Sequence, residues 1–162
     1  MIDSRTGGEQ DELKILKAWE STEEKILRDF YDIFKPVPEE KWKFVPIGNN
    51  LSFDFTSLLF RWRKIGINVP SRNLFLEKPY IDIQSTLIMF NKGEFKGANL
   101  EKFAGKQHSG TMVSQWYDQK DYSSIQKYIE AEAEGFISLY KYLIDRLPSI
   151  WFEYAKEKGI II

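Results

Sequence analysis

The chain contains no cysteine and a single histidine, His108. Without thiols it can form no disulfide framework, no cysteine-ligated zinc site and no thiol nucleophile. The same absence fits a reducing compartment, so a cytoplasmic location is expected. No apolar run approaches the ~20 residues that a membrane-spanning helix needs. The polar start from Met1 to Asp11, with Gly7-Gly8, lacks the basic-then-apolar order of a secretory signal. No membrane partner is expected. Neither Gly-x-x-x-x-Gly-Lys-Ser/Thr nor Gly-x-Gly-x-x-Gly occurs, so the common phosphate-cradling loops lack their signature. Repeats and low-complexity tracts are absent as well.

What is present is size, aromatic content and segregated charge. With 162 residues the chain can bury a sizeable core, about two thirds of the surface its unfolded form would expose. Aromatics make up 15%, with 5 Trp, 8 Tyr and 12 Phe, which points to heavily packed side chains. Lys and Glu abundance without cysteine is a thermophile-like composition. The net charge of −1 conceals a basic middle. Residues 1–40 carry 11 acidic and 6 basic side chains, residues 41–110 carry 5 and 11, and residues 111–162 carry 8 and 6. Such a middle suits an anionic partner, provided that folding does not interleave the segments and cancel the field.

Helical period organises most of the chain. From Asp11 to Phe34, Ile15, Trp19, Thr22, Ile26, Phe30 and Ile33 recur at helical spacing, and Pro36 and Pro38 end the run. Over Leu51–Gly66 the residues Leu51, Phe55, Leu58, Leu59, Trp62 and Ile65 share one side, and Asp54, Ser57, Arg61 and Lys64 the other. Asn49, Asn50 and Ser52 are N-cap types, and Gly66 and Pro70 stop this helix. Between the two, Trp42 and Phe44 alternate with Lys41 and Lys43, a period of two that predicts a short extended segment. Residues 67–79 read as an ordered loop anchored by Val69, Leu74, Phe75 and Leu76. Tyr80 to Phe90 fits two patterns equally: Ile81, Ile83, Leu87 and Met89 alternate as in a strand, and Tyr80, Ile83, Leu87 and Ile88 fit a helix. Gly97, Gly105 and Gly110 then punctuate a loop-rich region in which Ala98–Ala104 is the helical part. A second long helix is predicted over Asp121–Leu147, with Ser123 and Gln126 as a capping box, and Pro148 opens a further one. Together these patterns predict a mainly α, single-domain helical bundle over 11–162, with a flexible N-terminal segment at 1–10 and a short β-hairpin around 80–96 as the alternative to a helix there.

Chemistry-bearing constellations are few. His108 has no carboxylate at ligand spacing, whereas a metal site wants three or four convergent ligands. Glu130, Glu132 and Glu134 form the densest acidic group; on a helix Glu130 and Glu134 share a side away from the Ile129/Phe136 stripe and read as solvated charge. The remaining signal is aromatic–basic interleaving, in Lys41-Trp42-Lys43-Phe44, in Phe60-Arg61-Trp62-Arg63-Lys64 and onward to Arg72. Cations supply phosphate contacts and exposed rings can stack on bases, each stack worth ~1–3 kcal/mol, so the mixture suits single-stranded nucleic acid.

The run Glu39-Glu40-Lys41-Trp42-Lys43-Phe44-Val45-Pro46, followed by Asn50-Leu51-Ser52-Phe53 and an aliphatic helix, resembles the helix-one-to-helix-two passage of the DinB/YfiT-like four-helix bundles. His108-Ser109-Gly110 is similar to that family's later His-x-Gly. The resemblance implies a bundle whose members bind a divalent metal through three histidines for thiol-transfer or hydrolytic chemistry, with His108 as a ligand. Here Leu59 stands at the helix-two ligand position, and the later pair keeps one histidine.

These observations lead to a non-catalytic binding module that meets a protein partner or single-stranded nucleic acid through Lys41, Lys43, Arg61, Arg63, Lys64 and Arg72. No cofactor is expected. The alternatives are a divergent DinB-like metal-dependent enzyme using His108, and a structural subunit whose partner, a second copy included, covers some of the aromatics.

Overall fold

A computed structural model describes residues 13–104 and 110–160, so both the segment 1–10, expected to be flexible, and His108 lie outside the described residues. The protein is mainly α, as the helical period predicts. Its helices are α1 (Glu23–Phe34), α2 (Leu51–Lys64), α3 (Gln84–Phe90), α4 (Leu100–Ala104), α5 (Thr111–Asp118) and α6 (Tyr122–Glu157), with two-residue strands β1 (Ile47–Gly48) and β2 (Ile81–Asp82). The chain divides into two compact units, one spanning Leu16–Ile83 and the other joining Met1–Ile15 to Gln84–Ile162. Among the described residues no helix is long and apolar enough to cross a membrane.

In the unit Leu16–Ile83, α1 begins at Glu23, well after the Asp11 that its apolar period suggests. Thr22 is the reason. Its hydroxyl accepts from the Lys25 amide at 3.2 Å, so it serves as the N-cap and not as a member of the apolar stripe. Glu23 and Glu24 then place negative charge in the first turn, where the helix dipole favours it. The helix closes at Lys35, a left-handed residue with φ 35°, directly before Pro36.

The connector that follows is not the extended segment its alternation suggests. Residues 38–40 form a 3-10 turn, 41–43 a further turn, and only Ile47–Gly48 is strand. β1 pairs in parallel with β2, in the register Ile47 to Ile81 and Gly48 to Asp82. β2 is thus taken by a distant partner, and residues 84–90 are helical, which decides between hairpin and helix in favour of helix. The pairing also sets the start of α2. Asp82 accepts from the Asn50 and Leu51 amides, both at 2.9 Å, and so caps the helix from outside its own sequence. Asn50, at φ 58°, makes no side-chain cap. A Cβ at Gly48 would lie 2.6 Å from Leu51 Cδ2, so a larger residue there would displace the Leu51 side chain at the helix start.

α2 buries the predicted stripe. Leu51, Phe55, Leu59 and Trp62 join Leu27, Phe34, Val69 and Leu74 in the core of this unit. Trp62 donates through Nε1 to the Leu27 carbonyl at 3.1 Å and lies against Tyr31 and Phe34, with ring centres 5.4 and 5.9 Å away. Of the four loop anchors, Val69 and Leu74 are buried, Phe75 is half-buried, and Leu76 is 82% exposed. Residues 73–77 wind as a single π-helical turn, which gives successive side chains different directions and sends Leu76 outward.

In the other unit α6 is one helix of 36 residues, longer than the period predicts. Pro148 lies inside it and does not open a new helix. Proline removes one backbone donor, but its fixed φ is itself helical, so strong turns on both sides carry the helix through. The cap is Asp121, which accepts from the Ser124 amide and hydroxyl at 3.1 and 2.6 Å, in place of the expected Ser123/Gln126 box. α5 falls in the stretch that glycine punctuation marks as loop. Leu87, Ala98, Ile125, Leu139, Tyr140, Leu143 and Ala155 are the buried apolar residues here.

Candidate binding surface on the second helix

The six nominated cations all belong to the unit Leu16–Ile83, where they occupy three places: the turn at 41–43, the second half of α2, and Arg72 ahead of the π turn. Most are already engaged. Lys43 pairs with Glu40 at 3.1 Å, Arg72 holds Glu77 at 2.6 Å, and Arg61 pairs with Glu23 of α1. Lys41 is half-buried, and its carbonyl accepts from Lys78 Nζ at 3.2 Å. Arg63 and Lys64 remain exposed, without an ion pair among the described residues. The Lys64 ammonium stands 4.5 Å above the Phe60 ring, a cation–π contact.

The unit as a whole carries eleven Lys and Arg against ten Asp and Glu over residues 16–83. Within this unit acidic and basic side chains are therefore nearly balanced in number, and Glu23 to Arg61 is one pairing that brings the acidic first segment onto α2.

What α2 does present outward is aromatic. Phe53 and Phe60 are 68% and 61% exposed. Seven residues apart, they fall within about 20° of each other around the helix and ~10.5 Å along it, opposite Trp62. Arg63 and Lys64, three and four residues after Phe60, stand on the same side. Trp62, a member of the predicted apolar stripe, is fully buried as that stripe implies, which leaves Phe60 as the exposed ring of this interleaved run. Phe60 belongs to the interleaved run, whereas Phe53 lies outside both that run and the apolar stripe and was missed; its spacing of seven from Phe60, off the stripe, was the available signal. Trp42, in the other interleaved run, is 72% exposed, and its neighbour Phe44 packs on Phe34 at 5.9 Å.

Three ionisable groups in this unit are perturbed, one of them Lys35, which its hydrogen bond to Asp32 raises. Burial pushes Lys78 below the ordinary lysine value, with Glu40 pulling the other way, and its ammonium lies 4.7 Å over the Phe34 ring. Partial desolvation, followed by the nearby Asp82 carboxylate, raises Asp54. Lys78 spends its donor on a backbone carbonyl and an aromatic face, which ties the turn at 41–43 to the core. Among the described residues no three His, Cys, Asp or Glu side chains are placed to hold a metal ion. Leu59, at the position a metal ligand would occupy under the DinB-like resemblance, is a buried core residue. Set against family models, curated proteins and solved structures, the chain matches none of them.

Proposed function

We propose that the protein is a non-catalytic binding module whose outer α2 face docks a partner protein, through Phe53 and Phe60 with Arg63 and Lys64 at the rim. The observation that carries this is the pair of exposed phenylalanines on one side of α2, with Lys64 over one ring. Aromatic residues and arginine are enriched at the centres of protein interfaces, where they supply most of the binding energy. Two free cations beside them suit an apolar segment flanked by an acidic residue.

A protein partner is favoured over single-stranded nucleic acid by the charge balance. Phosphate-driven binding draws on many unpaired cations at once, and three of the six nominated here are held by Glu40, Glu23 and Glu77. The test places a photo-crosslinking phenylalanine analogue at position 53 or 60, with exposed Asp32 of α1 as control, and in parallel titrates the protein with a twenty-nucleotide oligo(dT) at low salt. A discrete protein adduct at 53 and 60 and none at 32 is expected, with no oligonucleotide binding. Oligonucleotide affinity that falls with salt and is lost in Lys64→Gln would move the assignment to nucleic acid. Absence of both adduct and oligonucleotide binding would remove the surface altogether.

A further inference from the structure

The unit containing α3 to α6 carries an open-mouthed cavity of about 550 Å³, distinct from the α2 surface. That is within the ~300–1,000 Å³ of small-molecule sites. Its floor is aliphatic: Leu87 of α3 is fully buried, and Leu139 and Leu143 of α6 are buried beside it. Its walls are aromatic. Phe90 stands between Phe103 and Tyr142, with ring centres 6.0 and 6.2 Å away at tilted angles.

The space is maintained by small residues on one face of α6. Gly135 and Ser138 line the cavity two turns and one turn before Tyr142, respectively. A glycine inside a helix costs about 0.5–1 kcal/mol relative to alanine, so its place in the cavity lining is informative. The mouth is marked by Tyr142, 49% exposed. One turn further along α6, the Arg146 guanidinium lies 5.9 Å from the Tyr142 ring centre, with no ion pair among the described residues. Apolar walls, three rings and, next to Tyr142, one cation without an ion pair among the described residues define the complementary ligand.

We infer that this cavity binds a small, planar aromatic molecule bearing one acidic group, its rings among Phe90, Phe103 and Tyr142 and its anion toward Arg146. The rings would gain offset and edge contacts, and Arg146 would select for charge at the rim.

The test uses two fluorescent probes of similar shape, anionic 1-anilinonaphthalene-8-sulfonate and neutral N-phenyl-1-naphthylamine, titrated into the full chain. Saturable binding of one molecule of each dye per chain is expected. Gly135→Leu, which fills the void, and Ser138→Trp, which closes it from its exposed edge, should each weaken both dyes about tenfold or more. Whichever of these unfolds cooperatively is the informative variant, and Ser138 is exposed enough to accept the change. Arg146→Gln should weaken the anionic dye by up to about fivefold and leave the neutral one unchanged. Unaltered affinity in the filling variants, or loss of dye binding in Phe53→Ser/Phe60→Ser, would overturn the site. Equal effects of Arg146→Gln on the two dyes would overturn the acidic specificity.

Discussion

Phe60 and Trp62 are two residues apart on α2 and meet opposite fates. Trp62 has no exposed surface, donates its indole N–H to Leu27 and lies among the rings of α1. Phe60 is largely exposed and touches a lysine. A rotation of about 200° separates them, and that alone assigns one ring to the fold and the other to solvent. Aromatic content is therefore no measure of function in this chain. Position in the helical period separates core rings from surface rings, and Phe53 repeats Phe60 two turns earlier.

The inner face can be broken hardest at its centre. Trp62→Ala removes a fully buried indole and its hydrogen bond and should cost about 3–5 kcal/mol in chemical denaturation. A loss under 1 kcal/mol would show that the α1–α2 core does not depend on it. Asp82→Ala takes away the acceptor shared by the Asn50 and Leu51 amides and should cost about 1–2 kcal/mol. An unchanged midpoint would mean that water caps α2 equally well.

The smallest effect concerns pH. Lys78 has a lowered value in the folded state, so between that value and the ordinary 10.5 the unfolded chain binds more protons than the folded one. Stability from this group therefore rises with pH through that window, and the burial penalty is fully present below it. Lys78→Met lacks the titration. The stability of the parent protein minus that of the variant should increase between pH 7 and pH 10, and parallel curves would refute the assignment.

Much of the fold was legible because it is local. The stripe Leu51, Phe55, Leu59, Trp62 is a 3.6-residue period, and α2 starts at the predicted residue and ends two residues early. What escaped is long-range or competitive. The cap of α2 comes from Asp82, thirty-two residues beyond the Asn50 amide it accepts from. The β1–β2 pairing that brings it there involves only two residues on each side, too few for an alternation to register. Thr22 could be a stripe member or a cap by type, and its hydroxyl decided for the cap. The site was legible in its cations but not in their state. Arg61 is identifiable from the interleaving, and Glu23, which neutralises it, lies thirty-eight positions earlier. Phe53 and Phe60 are visible in composition, and only the burial of their neighbours makes them a surface.

The most direct measurement compares the two faces in one experiment, with unfolding midpoint and photo-adduct yield read side by side for Phe53→Ser, carrying the crosslinker at position 60, and for Trp62→Ala. With the outer face as a binding surface and the inner as the core, Phe53→Ser should keep its stability within ~0.5 kcal/mol of the parent and lose most of the adduct. Trp62→Ala should lose stability by several times that amount. A Phe53→Ser variant that unfolds as readily as Trp62→Ala, or that retains full adduct yield, would contradict the division of α2 into a structural and a binding face.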